Sequence, residues 1–156
     1  MKKLELILVA GAAIGLLLAL LNVPHHSVIV TVLFMALSFI YFYLGFALFN
    51  GIHLRKIFKA ESYKGIGPWR IAVAIGTGIA LSDLTVGFML AINDYPMASS
   101  FLTFGLVLTS IMLLLASVRN AKEKIQFYRN IILRCAIFII LGVIALLLHG
   151  HLFQAA

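Results

Sequence analysis

Acidic residues are scarce in this chain: Asp and Glu together number five in 156 residues, and all charged residues make up 11% of it. A soluble domain of this size carries about twice that charge fraction, so a water-exposed globular surface is excluded. There is one cysteine, Cys135, so no intrachain disulfide can form, and no histidine falls at its depth to activate it as a nucleophile. Prolines number three, and no Ser/Pro-rich linker or low-complexity tract marks a domain boundary. The motifs of common hydrolases and nucleotide-binding enzymes, HExxH, GxSxG and the Walker loop, are all missing. No catalysed reaction and no cofactor can be read from the chain, which is expected to be non-enzymatic.

What the chain has in quantity is apolar sequence, with hydrophobic residues at 63%. Long apolar runs recur at about 4–21, 28–49, 71–92, 99–117 and 131–148. Each has roughly the 17–25 residues that a membrane-spanning helix needs. The expected fold is an all-α integral membrane protein, one bundle of five transmembrane helices over residues 1–156. The first run follows Met-Lys-Lys, but no small-x-small cleavage pattern follows Leu21, so it reads as a retained anchor rather than a signal peptide.

The net charge of +7 suggests nucleic acid in a soluble protein, yet the positions of the charges argue otherwise. Lys2 and Lys3 precede the first run; Arg55, Lys56, Lys59, Lys64 and Arg70 lie between the second and third; Arg119, Lys122, Lys124, Arg129 and Arg134 lie between the fourth and fifth or just inside the fifth. Every cation therefore falls on one side. The positive-inside asymmetry predicts a cytoplasmic N-terminus and an outer C-terminus in a prokaryotic inner membrane, with anionic lipid head groups as partners at the cytoplasmic face and no nucleic acid. Between the second and third runs, basic residues alternate with Leu54, Ile57 and Phe58, which predicts a helix over His53–Glu61 lying at the interface. Pro68 is placed to open the third helix, and Ser27 to cap the second.

The third run carries Asp83 at its centre. A carboxylate at mid-depth costs on the order of 2.5–3.5 kcal/mol on insertion scales, so it needs a structural or functional reason. Helical periodicity places Ala72, Gly76, Ala80, Asp83, Gly87 and Ala91 on one face, and small residues around the acid predict that this face packs against protein. Gly11 and Gly15 form a second close-approach pair in the first run. At the depth of Asp83 lie Ser38 and Tyr41 of the second run and Thr109 and Ser110 of the fourth, the expected hydrogen-bond partners of a neutral acid. Arg134 lies roughly 10 Å of helix rise from that level and is expected to snorkel to the cytoplasmic face.

Three functional readings follow. Asp83 as a helix-docking acid suits an accessory, assembly or scaffold subunit that packs with itself or with a larger membrane complex. Asp83 as a titrating group suits a small proton- or cation-coupled carrier or channel lined by Ser38, Tyr41, Thr109 and Ser110. The outer-side histidines His25, His26, His149 and His151, with Asp94, suit metal binding if the helix ends bring them together.

One further pattern is internal. Sliding the chain by 72 residues aligns Gly15 with Gly87, Ala19 with Ala91, Pro24 with Pro96, Ser27 with Ser99, Thr31 with Thr103 and Ser38 with Ser110. This reads as a tandem repeat of spans one and two in spans three and four, with Gly11 the counterpart of Asp83.

Overall fold

The structure is a computed structural model that describes residues 2–21, 23–57 and 59–154; for residues 2, 20, 54, 60, 63 and 149–154 it describes the backbone alone. It is all-helical. The long helices are α1 (Lys2–Leu20), α2 (His26–Phe49), α3 (Pro68–Ile92), α4 (Ala98–Glu123) and α5 (Gln126–Gln154). Four of these, α2 through α4 and the Gln126–Leu148 part of α5, are long and apolar enough to cross a membrane. In a hydrocarbon phase no water satisfies the backbone, so a helix, which pairs its own N–H and C=O groups, is the form such runs take.

Each helix packs on the next in sequence, and α5 folds back over α3 as well as α4. The third helix is the hub of the bundle. It packs against α2, α4 and α5, and Ala74, Thr77, Leu81, Leu84 and Thr85 along it are fully buried. Side-chain volume is removed where the backbones cross. A Cβ placed on Gly78 would stand 2.5 Å from the Tyr41 carbonyl oxygen, and one on Gly45 would stand 3.0 Å from the Gly78 Cα. On the other side, a Cβ on Gly105 of α4 would fall 2.8 Å from the Leu84 Cα. Helices meet this closely only where a glycine faces the neighbour.

The connections follow from local cap chemistry. At the end of α2, Gly51 takes φ +71°. Its N–H donates to the Leu48 carbonyl and the Ile52 N–H to the Ala47 carbonyl, 3.2 and 2.8 Å. This is the Schellman arrangement, completed by burial of Ile52 against the bundle. Beyond it the expected interfacial helix over His53–Glu61 does not form; two single 3-10 turns, Leu54–Lys56 and Ala60–Tyr63, take its place. The expected helix is short, and an isolated helix of under about 12 residues is marginal. Pro68 does open α3, in its first turn. Ser27 does not cap α2: the helix starts at His26, and the Ser27 hydroxyl donates instead to Oδ1 of Asn93, the residue just past α3, at 2.5 Å. Asn93 thereby ties the far ends of α2 and α3, with Thr31 also within reach of its amide at 3.4 Å.

The two turns at that end are alike. In the first, Leu21, Val23 and His26 donate their N–H groups to Leu17, Leu18 and Val23; in the second, Asn93, Tyr95 and Ala98 donate to Met89, Leu90 and Tyr95. These three bonds of the first turn recur 72 positions on. The helix contacts match in the same way: Gly15 lies against Val30, and Gly87 against Leu102.

Replacing Gly78 by Ile forces α2 and α3 apart and is expected to cost about 1–3 kcal/mol, the range of overpacked cores. Gly67→Ala, at a position with nothing within 4 Å of the added atom, should leave stability unchanged. Thermal unfolding of the purified protein in detergent measures both.

Candidate functional site

The polar side chains inside this apolar bundle fall into separate groups, and they are not grouped as the sequence suggests. Asp83 lies at the flank of the α3–α4 contact. Gly76, two turns below it on the same face, stands against Met112, and Gly87, one turn above, against Leu102. The small residues of that face are thus taken up by α4. Asp83 itself is half-buried, one turn from the exposed Ile79; its Oδ2 is buried and has no hydrogen-bond partner among the described residues.

The expected hydroxyl partners divide. Ser38 hydrogen-bonds Ser82, not Asp83, with the two hydroxyl oxygens 2.8 Å apart. Adjacent residues on a helix point about 100° apart, so Ser82 and Asp83 address different neighbours. Tyr41 is 1% exposed and donates its hydroxyl to Glu5 Oε1 of α1 at 3.2 Å. Thr109 is fully buried on the face of α4 that meets α3, and its hydroxyl is unpartnered among the described residues. Gly105 and Met112, which bracket Thr109 on α4, contact Leu84 and Gly76, which bracket Asp83 on α3. Ser110 is half-buried beside it. Of the four, only Thr109 and Ser110 share the α3–α4 region with the acid.

The second group centres on Glu5, which sequence reasoning passed over. Arg134 does not snorkel away from the bundle; its guanidinium donates to Glu5 Oε2 at 2.7 Å, joining the first helix to the last. Their side chains are 22% and 10% exposed. Arg134 also lies over the Phe49 ring, 5.3 Å from its centroid, and Tyr41 meets Phe138 edge-on at 5.6 Å. Glu5 therefore has a partner on each oxygen, as a carboxylate in an apolar setting requires. The signal available in the sequence was charge matching: Glu5 is the one acid in the first apolar run, Arg134 the one cation well inside the fifth, and both lie near the basic end.

A third group closes the basic end. Arg70 donates to Asn50 Oδ1 at 3.3 Å and lies over the Phe127 ring, 4.9 Å from the centroid. Arg119 lies 4.3 Å over the Trp69 ring and 3.6 Å from Glu123, its neighbour one turn on.

At the opposite end, His25 is exposed in a left-handed turn, and His26 Nδ1 sits 2.9 Å from the Val23 carbonyl oxygen. Asp94 is exposed and also left-handed. The side chains of His149 and His151 lie outside the described residues. Among the described residues, no three His, Cys, Asp or Glu side chains are grouped to hold a metal ion. Cys135 is buried and free.

No protein-family model, no curated protein and no solved structure matches this chain.

The Glu5–Arg134 pair yields a test. Arg134→Ala leaves the Glu5 carboxylate buried with Tyr41 as its remaining partner and should cost up to about 3–5 kcal/mol, the range for breaking a buried pair. Glu5→Leu combined with Arg134→Met removes both charges and should recover most of that loss. A double-mutant cycle on unfolding in detergent measures the coupling.

Proposed function

We propose that this protein is a non-enzymatic membrane scaffold or assembly subunit that docks, through Asp83 at the outer flank of the α3–α4 seam, on a membrane helix of a second copy or of a larger complex. One observation carries this reading: a carboxylate half-exposed at mid-length of a helix able to cross a membrane, with one oxygen buried and unpartnered. A lone carboxylate facing hydrocarbon is costly, and a donor on a neighbouring helix removes that cost. The glycines at 76 and 87 support the arrangement from within, because they seat α4 against α3 and leave the acid at the edge of the seam. Gly11 and Gly15 do the same for α1 on α2, against Leu33 and Val30.

The finer topology belongs to the same proposal. Here α1 is a fifth span, held by the Glu5–Arg134 pair, and the basic ends face the cytoplasm of a prokaryotic cell, with the protein in its inner membrane. The hairpins α1–α2 and α3–α4 are a tandem repeat. The matched turn hydrogen bonds and the paired Gly15–Val30 and Gly87–Leu102 contacts support that repeat. Within it Gly11, against Leu33, corresponds to Asp83, and Leu33 corresponds to Gly105. In the second hairpin Gly105 lies against Leu84 instead, and the acid stands beside that contact, which suits an acid added for a separate purpose.

A second reading, Asp83 as the titrating group of a small proton- or cation-coupled carrier, draws on the unpartnered Thr109 hydroxyl on the facing helix. Ser38 and Tyr41, each bonded elsewhere, weigh against a continuous path.

Docking predicts a specific oligomer or a co-purifying membrane partner that Asp83→Ala weakens at least tenfold, measured by crosslinking in membranes and native mass spectrometry. A strictly monomeric protein with no partner would sink it. The carrier reading predicts pH-dependent flux in liposomes that Asp83→Asn abolishes. For orientation, labels that cannot cross the membrane should reach a cysteine placed at Lys64 only from the cytoplasmic side and one placed at Tyr95 only from outside.

A further inference from the structure

At the basic end, a groove of about 320 Å³ between α3 and α4 is lined by Trp69, Ala72, Val73, Met112, Leu115 and Val118, with Arg119 and Lys122 completing it. We propose that this groove holds one anionic phospholipid, an acyl chain along the apolar lining and the phosphate at Arg119 and Lys122. The volume falls in the roughly 300–1,000 Å³ range of sites that hold small ligands. The lining is apolar and continuous along two helices able to cross a membrane, so a hydrocarbon chain is its natural filling.

The rim specifies the head group. Arg119 and Lys122 stand three positions apart on α4 and therefore face the same way. Arg119 is held in place by the Trp69 ring at 4.3 Å and by Glu123 at 3.6 Å, a partly exposed pair of little intrinsic strength. Lys122 is exposed and has no ion pair among the described residues. Two cations against one partly exposed carboxylate leave a net positive rim, and an anionic head group complements it where a zwitterionic one does not. A tryptophan at the same level matches the interfacial depth of lipid phosphates.

Trp69 is the only tryptophan in the chain, so it reports on this groove alone. The full-length protein is reconstituted in phosphatidylcholine vesicles containing equal fractions of either phosphatidylglycerol or phosphatidylcholine brominated near the head-group end of the acyl chains. Brominated phosphatidylglycerol should quench Trp69 fluorescence at least threefold more effectively. Lys122→Gln alone should halve that preference, and Arg119→Gln with Lys122→Gln should remove it while quenching by phosphatidylcholine persists. Lys124→Gln, a charge change outside the groove, should leave the preference intact. Equal quenching by the two lipids, or a preference that survives both rim variants, overturns the proposal. No quenching by either overturns the membrane-inserted reading on which it rests, whereas loss of docking at Asp83 would leave the lipid preference untouched. Should the double variant fail to fold, the exposed single variant Lys122→Gln carries the test.

Discussion

The close approach of α3 to its neighbours governs the rest of the bundle. Between apolar helices in lipid there is little hydrophobic driving force, so association rests on van der Waals contact and on hydrogen bonds, and both demand short interaxial distances. Gly45 and Gly78 let the backbones of α2 and α3 touch, and Gly105 lets α4 lie on Leu84. Those contacts set the positions of the polar side chains. With α2 drawn onto α3 at Gly78, Ser38 falls on Ser82; with α4 drawn onto α3 at Gly105, Asp83 is left at the edge of the seam.

The charges inside the bundle divide into a closed pair and an open acid. Glu5 and Arg134, from the two ends of the sequence, satisfy each other, with Tyr41 completing the carboxylate. Such a pair adds less net stability than its distance suggests, because both ions lose water; its clearer consequence is specificity, since α1 and α5 must sit where the charges meet. Asp83 has no such closure among the described residues. Its side chain is nonetheless partly exposed, so a donor on a second helix has a carboxylate to reach, and the proposed docking role begins there.

Helix existence was legible because it depends on local quantities. Runs of about 20 apolar residues, Pro68 before the third and breakers after Gly51 marked where the long helices lie, although α4 continues past the expected end at Ser117 to Glu123 and α5 starts at Gln126, before the expected Ile131. The connector was misread because alternating basic and apolar residues satisfy helical periodicity over too few residues to hold a helix between the Gly51 turn and the Gly65–Gly67–Pro68 breakers. Ser27 was misassigned as a cap because its competing partner, Asn93, lies 66 positions away. Depth matching grouped Ser38, Tyr41, Thr109 and Ser110 with Asp83 but could not say in which direction each points, and Ser38 and Tyr41 bond elsewhere. Ser82 adjoins Asp83 in sequence, yet it is Ser82 that meets Ser38.

By itself, then, the sequence determined the class: apolar length, scarce charge and one-sided cations leave a bundle of membrane-capable helices, since the backbone in hydrocarbon has few other ways to satisfy itself. The tertiary structure alone decided which polar groups pair. That choice depends on azimuth and crossing distance, set by where glycines permit contact between segments far apart in the chain. It is why Arg134 closes on Glu5, 129 positions away, while Asp83 stays open.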